Sequence, residues 1–227
     1  MKIMIINPNS SPEMTADIDK SAQRFANGDF EVVTVPTPGA PVYIDTYQDM
    51  ADCQPGMIQL LRDNMDEYDA FIDACACDPN LDTLKEISTK PVVGIGEASL
   101  KMATMIGHSF SVVSTGHRAT PNKYALIHKY YLDGYCASVQ APGEQPASCN
   151  SYDLYLAASK RAIEEDMAEV IVLGCAGMCE LVDKLQDELG VPVLDGVVCA
   201  LIIASGMVKA GINISKKRRY ALSAEEC

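Results

Sequence analysis

The sequence predicts an α/β fold: two pseudo-two-fold-related α/β sub-domains with mainly parallel sheets and the active site in the cleft between them. Three features of the chain carry that expectation. Short β-branched runs alternate with longer helical patterns throughout, as in helices packed over parallel strands. Several of these runs are almost continuously apolar, as strands covered on both faces are. One pattern also occurs twice: an apolar run, a cysteine, a helical stretch and a Pro-Val strand. Cys75 follows Ala70-Phe71-Ile72-Asp73-Ala74 and precedes Pro91-Val92-Val93 by 16 residues. Cys175 follows Val170-Ile171-Val172-Leu173-Gly174 and precedes Pro192-Val193-Leu194 by 17.

In chain order, strands are expected at 2–6, 30–35, 69–74, 91–95, 109–114, 169–173 and 191–195, each a short β-branched or apolar run. Helices are expected at 12–26, 56–66, 80–88, 97–106, 119–131, 151–166, 178–189 and 197–210. The first opens on Ser11 as N-cap, Pro12 at the first helical position and then Glu13. Gly190 and Gly211 suit helix ends. Two stretches read as loops: the proline-rich segment from Pro36 to Pro55, with Tyr43 and Tyr47, and residues 141–150. Each fits either a lid or a surface excursion. The expected sub-domains are 1–98 with about 206–227, and 99–205.

At 227 residues and 48% apolar composition, the chain can bury real cores, which excludes disorder. A net charge of −13 argues against nucleic-acid and membrane-surface partners. The basic run Lys216-Lys217-Arg218-Arg219 reads as a solvated turn rather than a phosphate patch. The opening apolar run is too short for a signal peptide and ends at Asn7-Pro8. The longest apolar stretch, Val197 to Val208, is too short to span a bilayer. A cytoplasmic homo-oligomer acting on a small molecule is expected, with its nine cysteines reduced.

The paired cysteines are the chemical centre of this reading. Before each lies a strand ending in small polar residues, Ile5-Ile6-Asn7-Pro8-Asn9 and Val112-Val113-Ser114-Thr115-Gly116. Asn9 lies 66 residues before Cys75, and Thr115 lies 60 before Cys175. In open α/β sheets, ligands bind beyond the carboxyl ends of strands. Backbone N–H groups of a following helix would favour a thiolate and anionic oxygens there. A thiol titrating near ~8.5 needs only a modest downward shift to serve as a base. Two such thiols, one ionised and one protonated, could remove and replace a proton on opposite faces of one carbon.

Other readings are weaker. Cys53, Cys136, Cys149, Cys199 and Cys227 read as small core hydrophobes. The spacing of Cys75 and Cys77, and of Cys175 and Cys179, is not that of a zinc ribbon, and His108, His117 and His128 are dispersed. No metal is expected. A Cys-x-x-Cys redox pair and a nucleophile elbow are both missing. Gly94-Ile95-Gly96 lacks the rest of a dinucleotide fingerprint.

Four motifs in order resemble the aspartate/glutamate/hydantoin racemase superfamily, most closely its hydantoin and allantoin racemases. They are Ile6-Asn7-Pro8-Asn9-Ser10-Ser11 with Met14-Thr15, Ala74-Cys75-Ala76-Cys77-Asp78-Pro79, Pro91-Val92-Val93-Gly94-Ile95-Gly96-Glu97-Ala98, and Leu173-Gly174-Cys175-Ala176-Gly177-Met178. The resemblance implies that Cys75 and Cys175 are the acid/base pair of a cofactor-independent 1,1-proton transfer. Asn9 and Thr115 would anchor substrate oxygens. Backbone amides of Ala76, Cys77, Ala176 and Gly177 would stabilise enolate-like charge. The sequence departs from the family pattern at Ala76-Cys77, where Phe-Gly is usual, and at Asn80, where Gly usually follows Asp-Pro. Asp78 reads either as a loop cap or as a group tuning the thiol, and Glu97 as holding a helix start.

The resemblance implies racemisation of 5-monosubstituted hydantoins or allantoin, whose ring carbonyls acidify the departing proton. Only Arg118 and Lys123 lie near one strand end, which favours a neutral ring over a free amino acid. The alternatives are an amino-acid racemase, a cis–trans isomerase or decarboxylase of the same superfamily, or a thiol-rich metal-binding or redox protein.

Overall fold

The structure is a computed structural model, and it describes residues 1–144, 147–148 and 151–222. Contacts group the chain into two units: Met1–Gly94 with the chain from Ala200 onward, and Ile95–Cys199.

The first unit holds β1 (Lys2–Asn7), α1 (Pro12–Ala26), β2 (Glu31–Pro36), α2 (Tyr47–Asp63), β3 (Ala70–Asp73), α3 (Leu81–Ile87) and β4 (Val92–Gly94). Its sheet has the order β2-β1-β3-β4 and is parallel throughout. Ser11 caps α1 as expected, its side chain accepting the Met14 amide. On one face Met4, Ile6, Phe71 and Val92 meet Cys53, Met57 and Leu61 of α2 and Leu81 and Leu84 of α3. Helix α1 buries Ile18, Ala22 and Ala26.

The segment 36–55 is a loop only as far as Thr46. Thr46 and Asp49 form a capping box that starts α2 at Tyr47, and the helix runs through Pro55. Proline inside a helix forfeits one backbone hydrogen bond. Here Cys53, Met57 and Leu61, four residues apart, keep one apolar face buried across it.

The second unit holds α4 (Ile95–Ile106), β5 (Phe110–Val113), α5 (Thr120–Lys129), β6 (Cys136–Gln140), α6 (Tyr152–Glu164), β7 (Val170–Leu173), α7 (Val182–Leu189) and β8 (Val193–Leu194). The division falls inside α8 (Gly196–Ala210). The sheet order β6-β5-β7-β8, again all parallel, repeats that of the first unit. Alternate strand residues face opposite sides, and both sides are apolar. Val113, Ile171 and Leu173 pack with Tyr155, Ala158 and Leu185, whereas Phe110, Val112, Val170 and Val172 pack with Leu100, Leu126 and Ile127. This two-faced burial explains the unbroken apolar runs.

Strand β6 escapes sequence reading because Cys-Ala-Ser-Val-Gln lies at a sheet edge and buries only Val139. The 178–189 helix is instead a 3-10 segment, Ala176–Leu181, followed by α7. After α8 the chain returns to α3. Lys216 Nζ donates to the carbonyls of Lys85 and Glu86 at 2.6 and 2.8 Å, satisfying groups at the helix end, and the Tyr220 hydroxyl reaches Asp82 at 2.8 Å. The run is exposed, as expected, but its first lysine has this structural task. Among the described residues no helix is long and apolar enough to cross a membrane.

Candidate active site

Each candidate cysteine lies two residues past a central strand, on the first position of a tight turn. In the first unit the Ala74 amide donates to Ile6 O at 2.9 Å, continuing the pairing of β3 with β1. Cys75 O then accepts the Asp78 amide at 2.9 Å. In the second unit the Gly174 amide donates to Val113 O at 2.8 Å, and Cys175 O accepts the Met178 amide at 3.2 Å. Both thiols are half-buried. The amides of Ala76 and Cys77, and of Ala176 and Gly177, come before the amide that closes each turn. They therefore stand where an i→i+3 turn leaves its first donors outside the ring.

The helix expected at 80–88 after Cys75 is α3, whereas the one expected at 178–189 after Cys175 opens earlier, as a 3-10 segment. Helix α3 starts at Leu81, six residues after Cys75, and Cys175 leads into a 3-10 segment.

In the first turn, Asp78 and Asn80 take φ of 47° and 61°. That left-handed region suits glycine, and asparagine and aspartate tolerate it best among the others. Asn80, the departure from the family's glycine, thus keeps the backbone path. Its side chain adds a bond to Met50 O at 2.8 Å. Asp78 is buried against Gly94, where a Cβ would fall 2.7 Å from both Asp78 Cγ and Leu81 Cδ2. Gly94 is therefore required for packing, which accounts for it without a dinucleotide. Gly174 is equally constrained: a Cβ there would lie 2.8 Å from Val113 O and 3.0 Å from Ser114 Cα.

Asn9 and Thr115 stand beyond the strands that neighbour the cysteine strands. Asn9 is buried, and its Oδ1 accepts from Asn7 Nδ2 and from the Ser11 amide, both at 2.9 Å. Its Nδ2 points to Met14 Sδ at 3.0 Å. The Thr115 carbonyl accepts the Ala147 amide at 2.8 Å, and its side chain makes no hydrogen bond among the described residues. Strand register offsets the pair by one. Ile6 faces Asp73 and Val113 faces Leu173, so Gly116 rather than Thr115 is the register counterpart of Asn9. Loops pin both ends: Ser10 donates to Pro41 O at 2.9 Å, and His117 to Gly143 O at 3.1 Å.

Among the described residues four ionisable side chains of the Asp, Glu, Lys, Arg and His types are buried: Asp73, Asp78, Lys123 and Asp195. Asp195 accepts the Val197 amide at 2.7 Å and so caps α8. Glu97 lies in the first turn of α4 and pairs with Lys101 at 2.6 Å. The sequence signal available for Asp73 is an aspartate inside an apolar strand run.

The cysteines outside the two turns fit inert thiols. Burial pushes Cys53 and Cys199 up to about 12 and Cys136 to about 11. Cys149 and Cys227 lie outside the described residues. Among the described residues no three His, Cys, Asp or Glu side chains converge on a metal-binding group.

The Asp/Glu/Hydantoin racemase family model matches residues 3–204. A hydantoin racemase from Pseudomonas sp. is 37% identical over 228 residues, 97% of this chain and 91% of that protein. The solved structure of an allantoin racemase from Klebsiella pneumoniae superposes with a TM-score of 0.93 at 33% identity, covering 98% of this chain and 94% of that one. An allantoin racemase from Pseudomonas fluorescens gives 0.92 at 30% identity, covering 99% and 97%. With its two parallel sheets and the match running through both cysteine turns, this chain belongs to the Asp/Glu/Hydantoin racemase family, whose racemases are isomerases.

Proposed function

We propose that the protein is a cofactor-independent racemase of 5-monosubstituted hydantoins or allantoin, working by proton transfer between Cys75 and Cys175. The observation that carries this reading is the recurrence of one turn, with a thiol at its first position, after equivalent strands of two sheets of identical order. The hydantoin and allantoin racemases to which the chain is similar support the substrate class.

The chemistry follows from the ring. The stereocentre of a 5-substituted hydantoin is flanked by a carbonyl, so loss of its proton gives an enolate rather than a bare carbanion. One cysteine thiolate takes that proton. The turn amides of Ala76, Cys77, Ala176 and Gly177 stabilise the enolate oxygen, being oriented before reaction. The other cysteine, still a thiol, delivers its proton to the opposite face. Asn9 Nδ2 and the Thr115 hydroxyl hold ring oxygens. A neutral ring also suits a chain in which Lys123 is the one buried lysine or arginine among the described residues.

A chiral assay in deuterium oxide tests the reading, using single enantiomers of 5-substituted hydantoins, allantoin, aspartate and glutamate. The expected result is loss of optical activity for the hydantoins or allantoin, with one deuterium in each newly formed enantiomer. Turnover of aspartate or glutamate alone would replace this substrate class with free amino acids. Optical activity retained across the whole panel would reject racemisation.

A further inference from the structure

The two thiols hold the same turn position, yet the buried ionisable groups around Cys75 are acidic, whereas those around Cys175 include a lysine as well as an aspartate. Beside Cys75 the buried ionisable side chains are acidic. Asp73 ends β3 two residues before it, and Asp78, three residues after it, closes its turn. The other ionisable groups on elements at this end of the sheet include Cys77 in the turn itself, Glu13 in the first turn of α1, Tyr43 and Asp45 of the 37–46 loop, Tyr47, Asp49, Asp52 and Cys53 of α2, and Asp82 in the first turn of α3. None is a cation. Lys85 and Lys216 stand at the opposite end of α3. The reach of Asp73 is visible at Cys53: after burial itself, Asp73 is the next cause that pushes that thiol up to about 12.

Beside Cys175 the buried charge contributed by a neighbouring helix is a cation. Lys123 comes from α5, and its Cε lies 3.4 Å from the point where a Gly174 side chain would begin. Bond lengths then place its ammonium within about 10 Å of Cys175 Cα. Other ionisable groups on the surrounding elements are the exposed His117 and Arg118 before α5, Cys179 and Glu180 on the turn after Cys175, and Asp183 at the start of α7. Buried Asp195 is at the end of β8, its carboxylate engaged by the Val197 amide. A neighbouring cation favours a thiolate, and neighbouring carboxylates favour a thiol.

We propose that Cys175 is the resting base, held as the thiolate, and Cys75 the resting acid, held as the thiol. The catalytic meaning of this assignment rests on the two-thiol reading above. In the first turnover the Cys175 sulfur takes the proton from the substrate carbon. The Cys75 S–H gives its proton to the opposite face, leaving Cys75 ionised and Cys175 protonated. Release of the Cys175 proton to water and uptake of one by Cys75 restore the resting form.

Iodoacetamide alkylation of the full-length wild-type protein from about pH 5 to 11 tests the assignment, with each sulfur followed by peptide mass spectrometry. Scaling each rate to its own high-pH plateau removes differences in access. The Cys175 midpoint is expected at least about one pH unit below that of Cys75. Lys123→Met should raise the Cys175 midpoint by about one pH unit and leave that of Cys75 in place, whereas Asp78→Asn should lower the Cys75 midpoint. Coincident wild-type midpoints, or a lower one at Cys75, would overturn the assignment even where a variant fails to fold. No substrate enters the experiment, so its failure is separate from a failure to racemise.

Discussion

Gly94 and Asp78 are packed so closely that a methyl group cannot stand between them. A Cβ on Gly94 would fall 2.7 Å from Asp78 Cγ. The end of β4 thus fixes the turn whose first residue is Cys75, joining two motifs that are separate in sequence. Gly174 does the same in the other unit, where the obstruction is backbone: Val113 O at 2.8 Å and Ser114 Cα at 3.0 Å.

Gly94→Ala and Gly174→Ala should therefore each destabilise the fold, by about 1–3 kcal/mol as overpacking does. Gly174→Ala should be the worse, because backbone gives way less readily than the Asp78 side chain. Urea unfolding curves compare the two. Equal stability of both variants with wild type would refute the close packing.

Cys75→Ser and Cys175→Ser should each abolish net racemisation, since a serine hydroxyl is far too weak an acid to replace a thiol of pKa ~8.5. In deuterium oxide, a single variant should still wash the hydrogen out of one enantiomer through its surviving base. Wild-type racemisation rates in both variants would remove these residues from the chemistry.

Asn80 adopts φ 61° and bonds Met50 O. Asn80→Gly keeps the backbone path and loses the bond, at a cost of about 1 kcal/mol. Asn80→Ala loses the bond and also strains the left-handed backbone, adding roughly 1 kcal/mol more. Thermal midpoints should fall in the order wild type, glycine, alanine. The reverse order for the two variants would show that backbone conformation is not the constraint.

The alkaline limb of stability should carry the buried thiols. Burial first, with Asp73 adding to it, raises Cys53 from 9.0 to about 12. Because the folded state holds this proton longer than the unfolded one, its contribution is complete below pH 9.0 and is lost as pH rises towards 12. The slope is up to about 1.4 kcal/mol per pH unit for each such group. Cys53→Ala should lower overall stability by leaving a cavity but flatten the decline above pH 9.0. Urea denaturation at several alkaline pH values reads the slope, and an unchanged slope would count against the shift.

Strong local signals made most of the fold legible. Ser11-Pro12-Glu13 marked the start of α1, and the apolar runs before Cys75 and Cys175 marked β3 and β7. Weak or misleading local signals failed. Strand β6 is polar because it lies at an edge, and Pro55 suggested a boundary that the capping box at Thr46 overrides. The cysteine turns were placed by sequence, but their form was not. The tight turn closed at Asp78 and the 3-10 geometry that begins after Cys175 depend on how the backbone leaves the sheet.

The amino-acid order alone determined the alternation of strands and helices and the matching addresses of Cys75 and Cys175, because periodicity and apolar runs are properties of adjacent residues. Tertiary structure decided which charges lie beside those thiols. Asp73, Asp78 and Lys123 are ordinary polar residues until neighbouring elements cover them. The field of a charge is then set by its distance to groups remote in sequence and by the loss of water around it.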